Sequence, residues 1–320
     1  MKTVVLILIT MLLISAGKSE ACNVCGGGTS DIAVLALDGR MLFNLSYTFD
    51  HNIGIWDQNG TWSKNNFLTN QHKVAAAIAY RISRHMQFGI TLPYVINTSD
   101  NPGLKQSGSS IGDLSISGRY ELFHEFQLKK TGKKRKIDYV YPYLAFTFGL
   151  TVPTGKSEET ALNEVDVTGK GYYSTSLGFS VIKSLVRNRF QLSADFSWQH
   201  SFSKKFDSYF GSSASFTRQA GDKFNFSMTA NYIFGSEHAV SLTTSGFTQN
   251  SYRLNDIITH NSDERSINFI LAYTYYPDVQ FRITPSIKWT VPSDNFGRNA
   301  TGSTTFNINF TYYIPDYSIK

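Results

Sequence analysis

Charge is scarce in this chain. Asp, Glu, Lys and Arg make up 17% of its 320 residues, below the roughly 25% of ordinary soluble domains. Cysteine is scarcer still. There are two, Cys22 and Cys25, too few for the disulfide framework of a small secreted scaffold. No apolar run reaches the roughly 20 residues of a membrane-spanning helix. With a mean hydropathy of −0.21, the chain is no helical transporter. Disorder is excluded from the other side, because aromatics reach 14% and disordered chains hold few of them.

The N-terminus reads as an export signal. Lys2 precedes the apolar stretch Val4–Ile14, and Ser19-Glu20-Ala21 supplies a small-residue cleavage pattern. Residues 1–21 are therefore expected to be removed, leaving Cys22 first. A lipid-attachment site wants an aliphatic residue three before the cysteine and a small one two before it; Ser19 and Glu20 meet neither requirement.

Period-2 alternation dominates the rest. In Arg189–His200 the even positions are apolar, from Phe190 to Trp198, and the odd ones polar. Gly112–Leu122, Lys223–Phe234, Arg265–Tyr276, Val279–Val291 and Thr304–Ile314 behave alike. Weaker versions lie at Met41–Asp50, Lys73–Ile82, Met86–Ile96, Tyr139–Val152, Tyr172–Ser184 and His238–Thr248. These twelve segments exceed the five or six residues usual in soluble sheets. They suit the roughly 9–11 residues of a tilted membrane strand. Aromatic pairs near strand ends (Tyr47 and Phe49, Tyr139 and Tyr141, Tyr172 and Tyr173, Tyr275 and Tyr276, Tyr312 and Tyr313) read as interfacial girdles.

Short and long connections alternate. Residues 83–85, 185–188, 235–237 and 277–278 are short; 51–72, 97–111, 153–171, 201–222, 249–264 and 292–303 are long. Bacterial outer-membrane barrels have short periplasmic turns, long external loops and an even strand count. The expected fold is thus all-β: a transmembrane antiparallel β-barrel of about 12 strands over residues 41–314. Residues 22–40 form a Cys/Gly-rich periplasmic segment or a plug, and 315–320 a short tail.

One turn departs from the pattern. Phe123–Asp138 is periplasmic by register yet long, and holds Lys129, Lys130, Lys133, Lys134, Arg135 and Lys136. Those six cations equal the formal net charge of +6. The basic balance therefore belongs to one loop, which reads as a solvated hairpin or as a contact for anionic headgroups. Without a second basic surface it does not suggest nucleic-acid binding.

Two segments carry a resemblance. Ile111-Gly112-Asp113-Leu114-Ser115-Ile116-Ser117-Gly118-Arg119-Tyr120 resembles the "GDL…RY" strand of the outer-membrane family named for the MetA pathway of phenol degradation. Phe148-Gly149-Leu150-Thr151-Val152-Pro153-Thr154-Gly155-Lys156 resembles the "G-L-x-x-P-T-G" strand end of the same family. The resemblance spans roughly residues 40–314 and implies an outer-membrane barrel that transports small molecules, some members being linked to aromatic degradation. Some relatives begin with C-x-x-C-G-C; here Cys22-Asn23-Val24-Cys25-Gly26-Gly27-Gly28 keeps the first two cysteines and lacks the third.

Candidate chemistry is thin. Cys22 and Cys25 read as a local disulfide, or as half of a metal or redox site needing further ligands. Gly26 stands where c-type haem attachment needs histidine. No other cofactor is expected. The apolar run Ile32–Leu37 either enters the barrel as a plug or packs at its periplasmic mouth. A lipid hydrolase would need a serine beside a histidine base. His200-Ser201 places the two on opposite faces of a strand, and His260-Asn261-Ser262 lies within a long loop, so no enzyme is expected. Inward-facing candidates are Arg81, Asp113, Arg119, Glu121, Arg189, Asp195, Arg282 and Lys288, since a cation facing lipid costs about 2–4 kcal/mol at midplane. They either line a passage or pair to fill the barrel. The sequence thus points to a channel or transporter in contact with outer-membrane lipid, and the resemblance implies a small, hydrophobic or aromatic molecule as its solute. The alternatives are a structural or adhesive surface barrel and a metal- or redox-linked protein. Nothing in the pattern specifies an oligomer.

Overall fold

The computed structural model describes residues 39–64, 68–101, 104–123, 127–131, 134–138, 142–185, 189–235, 237–278 and 280–315. The export signal, Cys22, Cys25, Ile32–Leu37 and residues 316–320 lie outside these.

Twelve long strands form one closed antiparallel barrel. They are β1 (Gly39–Trp56), β2 (Leu68–Arg81), β3 (Met86–Asn101), β4 (Leu114–Phe123), β5 (Tyr143–Val152) and β6 (Ser174–Leu185), followed by β7 (Phe190–Ser201), β8 (Lys223–Phe234), β9 (His238–Gln249), β10 (Glu264–Tyr275), β11 (Phe281–Thr290) and β12 (Thr301–Pro315). Each pairs with its neighbours in sequence, and β1 closes on β12, from Met41 opposite Ile314 to Ile55 opposite Thr301. Closure is what a membrane demands. With no water in the hydrocarbon, an open strand edge would leave backbone N–H and C=O groups unpaired.

The alternation in sequence becomes two chemically distinct surfaces. Val74, Ile78, Ile90, Leu92, Phe146, Leu177, Phe179, Leu242, Leu271, Ile287 and Phe306 are exposed on the outside. Such a continuous apolar band would be untenable in water but suits lipid. Tyr80, Tyr120, Tyr273 and Tyr312 face outward near the short-turn ends; Trp198 and Trp289 lie near the long-loop ends of β7 and β11.

The expected girdle doublets need correction. Neighbouring residues on a strand point to opposite faces. Tyr275 stacks outward against His238, while Tyr276 is buried inside. Tyr312 is exposed, whereas Tyr313 lies beneath Arg282 in the interior. Tyr172 and Tyr173 precede β6 and belong to a loop, and Tyr139 and Tyr141 lie outside the described residues, β5 beginning at Tyr143.

Several long loops are more ordered than irregular connections would be. Leu104–Ile111 continues the pairing of β3 beyond the barrel. Lys204–Tyr209 and Ser212–Gln219 form an external hairpin that pairs with Arg253–Leu254, which in turn pairs with Ile257–Ile258. The basic turn also contains a hairpin, Gln127–Thr131 with Lys134–Asp138.

Candidate functional site

The inner wall is graded along the barrel axis. At the short-turn ends, inward positions are solvent-excluded: Leu42, Ala79, Arg81, Gln87, Arg119, Glu121, Tyr143, Ala145, Ile182, Ala239, Thr274 and Thr311. Midway along the strands the inward side chains are half-buried and almost all hydroxyls or amides. Asn44, Ser46, Thr48, Ser117, Ser193, Ser197, Asn225, Ser227, Ser245, Asn307 and Asn309 belong to this belt. They are cross-linked to one another. Asn44 Nδ2 donates to Thr311 Oγ1 at 2.9 Å, Asn307 Nδ2 to Thr48 Oγ1 at 2.7 Å, and Asn225 Nδ2 to Ser197 Oγ at 3.3 Å.

Most of the charge candidates are held in two zones. Near the periplasmic end, Glu121 is the hub. Its carboxylate accepts from Arg81 at 2.8 and 3.2 Å, from Gln87 Nε2 at 2.6 Å and from the Tyr143 hydroxyl at 3.0 Å. Arg81 also donates to the carbonyls of Gly39 and Arg84, both at 3.2 Å. The pair therefore ties the entry of β1 to β2, β4 and β5. Arg119 lies over the Tyr143 ring at 5.4 Å, and its buried Nε meets no acceptor. Arg282 sits over Tyr313 in the same manner, also at 5.4 Å. Arg189 is half-buried in the turn before β7.

Mid-barrel and upward, the charge candidates are also partnered. Lys288 Nζ lies 3.7 Å from Asp50, which also accepts from Thr305 Oγ1 at 3.1 Å. Asp195 accepts from Ser227 Oγ at 3.2 Å.

Asp113 does something the alternation did not reveal. It sits one residue before β4, where its carboxylate accepts the N–H groups of Gly155 at 3.1 Å and Lys170 at 2.7 Å. Thr154 Oγ1 accepts from the Leu114 N–H at 3.0 Å and donates to the Gly112 carbonyl at 2.8 Å. The two sequence motifs thus fasten each other at the extracellular end of β4 and β5. Gly118 lies under the Phe148 ring, where a Cβ would come within 2.0 Å of the ring carbon. A side chain at 118 would displace the aromatic of the second motif. These signature positions are a latch, not lumen chemistry. The clue was available in their types: Gly-Asp and Pro-Thr-Gly are turn-capping residues.

The external loops are stapled to one another. Lys204 Nζ donates to Glu159 at 2.7 Å and Arg218 pairs with Glu158 at 2.7 Å. Between the two cations lies Phe206, fully buried and stacked on Phe216 at 5.2 Å. The Lys204 hydrogen bond, and then the Asp207 N–H, hold the Glu159 carboxyl below its ordinary pKa. A cleft of about 390 Å³ opens among these loops beside His200, Asp222 and Arg253.

His200 hydrogen-bonds Asp222 at 2.7 Å and faces away from Ser201, while Ser262 is engaged with Thr259 and Tyr252. Neither serine meets a histidine base among the described residues. Among the described residues no three His, Cys, Asp or Glu side chains converge as a metal site.

Residues 84–310 match the model of the family described as "Putative MetA-pathway of phenol degradation". The chain belongs to this family. No curated protein matches it by sequence. Among solved structures, this family member is similar to the COG4313 outer membrane channel from Pseudomonas putida F1. The TM-score is 0.70 at 13% identity, covering 91% of this chain and all of that one. It is more distantly similar to the translocator domain of the autotransporter NalP from Neisseria meningitidis, with a TM-score of 0.47 at 11% identity over 86% of this chain and 88% of that one. The toluene transporter TodX from Pseudomonas putida gives 0.41 at 9% identity over 88% and 91%. At such identities the first likeness speaks for the fold, an outer-membrane barrel. The MetA-pathway family member accordingly resides in the outer membrane.

Two measurements test this reading of the wall. Glu121→Ala should destabilise the barrel by about 3–5 kcal/mol, the usual cost of breaking a buried ion pair. Arg81→Met combined with Glu121→Leu should recover most of that loss in urea unfolding from lipid vesicles. Acid should release the external hairpin. A carboxylate with a lowered folded pKa stabilises above its unfolded value and loses that contribution as pH falls through the folded pKa. Hydrogen-exchange protection of the Asp207 amide should therefore fall below the ordinary carboxylate range, and Glu159→Gln should abolish this pH dependence.

Proposed function

We propose that this outer-membrane barrel is a channel for a small, neutral solute able to hydrogen-bond, with a phenol as the type. The observation that carries this reading is the mid-barrel belt of half-buried Ser, Thr and Asn side chains. Such groups exchange hydrogen bonds with a passing solute and bind it only weakly, because each bond replaces one to water. Twelve strands enclose more space than the eight that side chains alone can fill. The family's description supplies the word phenol, a small aromatic with one hydroxyl. Its hydroxyl suits the belt, and its ring is no larger than the wall's own aromatics. A purely hydrocarbon solute fits the belt less well, since it would strip water from these groups without replacing it. Catalysis has no place in this proposal.

Planar-bilayer recording tests it. The mature protein, or a form beginning close to β1, should give discrete current steps that added phenol reduces in a concentration-dependent way. The reading fails if neither form conducts and neither lets small sugars swell liposomes; a structural or adhesive surface barrel would then remain.

A further inference from the structure

One charge of the inner wall has no counter-ion among the described residues. Arg119 lies on the inner face of β4 and is 5% exposed. Its Nε meets no acceptor, and the Tyr143 ring, centred 5.4 Å from the guanidinium, gives a cation–π contact rather than a neutralising charge. Glu121 stands two residues along on the same face, yet its oxygens are spent. One accepts from Arg81, Gln87 and Tyr143, and the other from Arg81. The register sets Asp195 three strands away from Glu121, where it accepts from Ser227. Arg81 and Glu121 cancel, and the charge of Arg119 is left over beside them. A guanidinium cannot shed its charge as a buried lysine can. An ionisable group turned into a membrane barrel without a partner marks a functional site.

We propose that Arg119 binds the carboxylate of a small monocarboxylic solute inside the barrel. The strand register shows what such a solute would meet. From Arg119 one row of inward positions runs through Thr147, Gly178, Ser197 and Asn225 across β5 to β8, each step about 4.8 Å. The row is small-sided and uncharged, and its far end, where Asn225 donates to Ser197, belongs to the hydroxyl belt. The planar fork of a guanidinium matches the two oxygens of a carboxylate. The single surplus charge matches a monoanion, whereas a phosphate near neutral pH brings about two negative charges, one of them left unpaired. The body of the solute then lies along Thr147 and Gly178 toward the belt. An arene carrying both a carboxylate and a hydroxyl engages Arg119 and the belt together. The neutral solutes of the channel reading use the belt alone, so Arg119 extends the solute class to carboxylates. The inference rests on that reading only in requiring a lumen open to solutes, not in requiring conduction.

Equilibrium dialysis of radiolabelled benzoate against the full mature protein in detergent tests it. Binding should saturate at one site per chain, and unlabelled benzoate should compete for it far better than inorganic phosphate or phenol. Arg119→Gln should weaken binding by about tenfold or more, the usual worth of a hydrogen bond to a charged group. Arg119→Lys, which keeps the charge and loses the fork, should fall between the two. Thr147→Asp leaves the guanidinium in place and sets a carboxylate directly opposite it in the register; it should abolish benzoate binding and raise the stability of the barrel. Should Arg119→Gln not fold, Thr147→Asp decides the matter alone. The proposal is overturned by absence of saturable binding, by unchanged affinity in Arg119→Gln or in Thr147→Asp, or by competition from phosphate equal to that from benzoate. A barrel that binds benzoate and passes no current sinks the channel reading only. One that conducts, is blocked by phenol and binds no benzoate sinks this inference only.

Discussion

Everything in this molecule follows from the absence of water around its waist. In hydrocarbon each unpaired backbone N–H or C=O costs several kcal/mol, so a sheet must close on itself. The pairing of β1 with β12 is that closure, and it is the most extensive strand contact in the barrel, running from Met41 opposite Ile314 to Ile55 opposite Thr301 with one irregularity near Asn52. Lipid then sorts side chains by parity. Most strand leucine, isoleucine and phenylalanine side chains take the outside, and a charged group near the middle of the span must turn inward.

The inside, freed from lipid, is divided by chemistry along its length. An Arg81–Glu121 hub with Gln87 and Tyr143 binds four strands at the periplasmic base. Separate apolar patches lie at the same level, Tyr143 with Ala145 and Ile182, Ala239 with Tyr276, and Leu42 with Ala79, and a belt of hydroxyls and amides occupies the middle. Outside the bilayer a third chemistry applies. There, loops are held by ion pairs around Phe206 and by the Asp113–Thr154 latch. Charged and capping contacts thus gather toward the two ends, while the mid-barrel wall is held by neutral hydrogen bonds.

How legible this was depends on how strictly lipid constrained each segment. Lys223–Phe234 begins and ends where its alternation does, because every residue there must choose between hydrocarbon and lumen. The external hairpin Lys204–Gln219 was read as loop, since no solvent on either face imposes a period. Its turn, Tyr209-Phe210-Gly211-Ser212, also hides its signal. Phe210 takes a φ of 47° and Gly211 of 75°, the primed-turn geometry that Asn-Gly would advertise. Asp113 fits the inward parity of β4, yet pairing stops at Leu114, so its carboxylate is spent on loop amides. Tyr276 and Tyr313 looked like girdle residues by position and lie inside by parity. The burial of Ala75, Ala77 and Ala79 was not legible, since alanine suits a lipid-facing and an inward position equally.

The central claim is that alternate residues of each strand face lipid. Fluorescent labelling of single cysteines along β10, in vesicles containing brominated lipid, addresses it most directly. Probes at 267, 269, 271 and 273 should be strongly quenched, and those at 268, 270, 272 and 274 weakly. Equal quenching at all eight positions, or none at any, would contradict a membrane-spanning barrel.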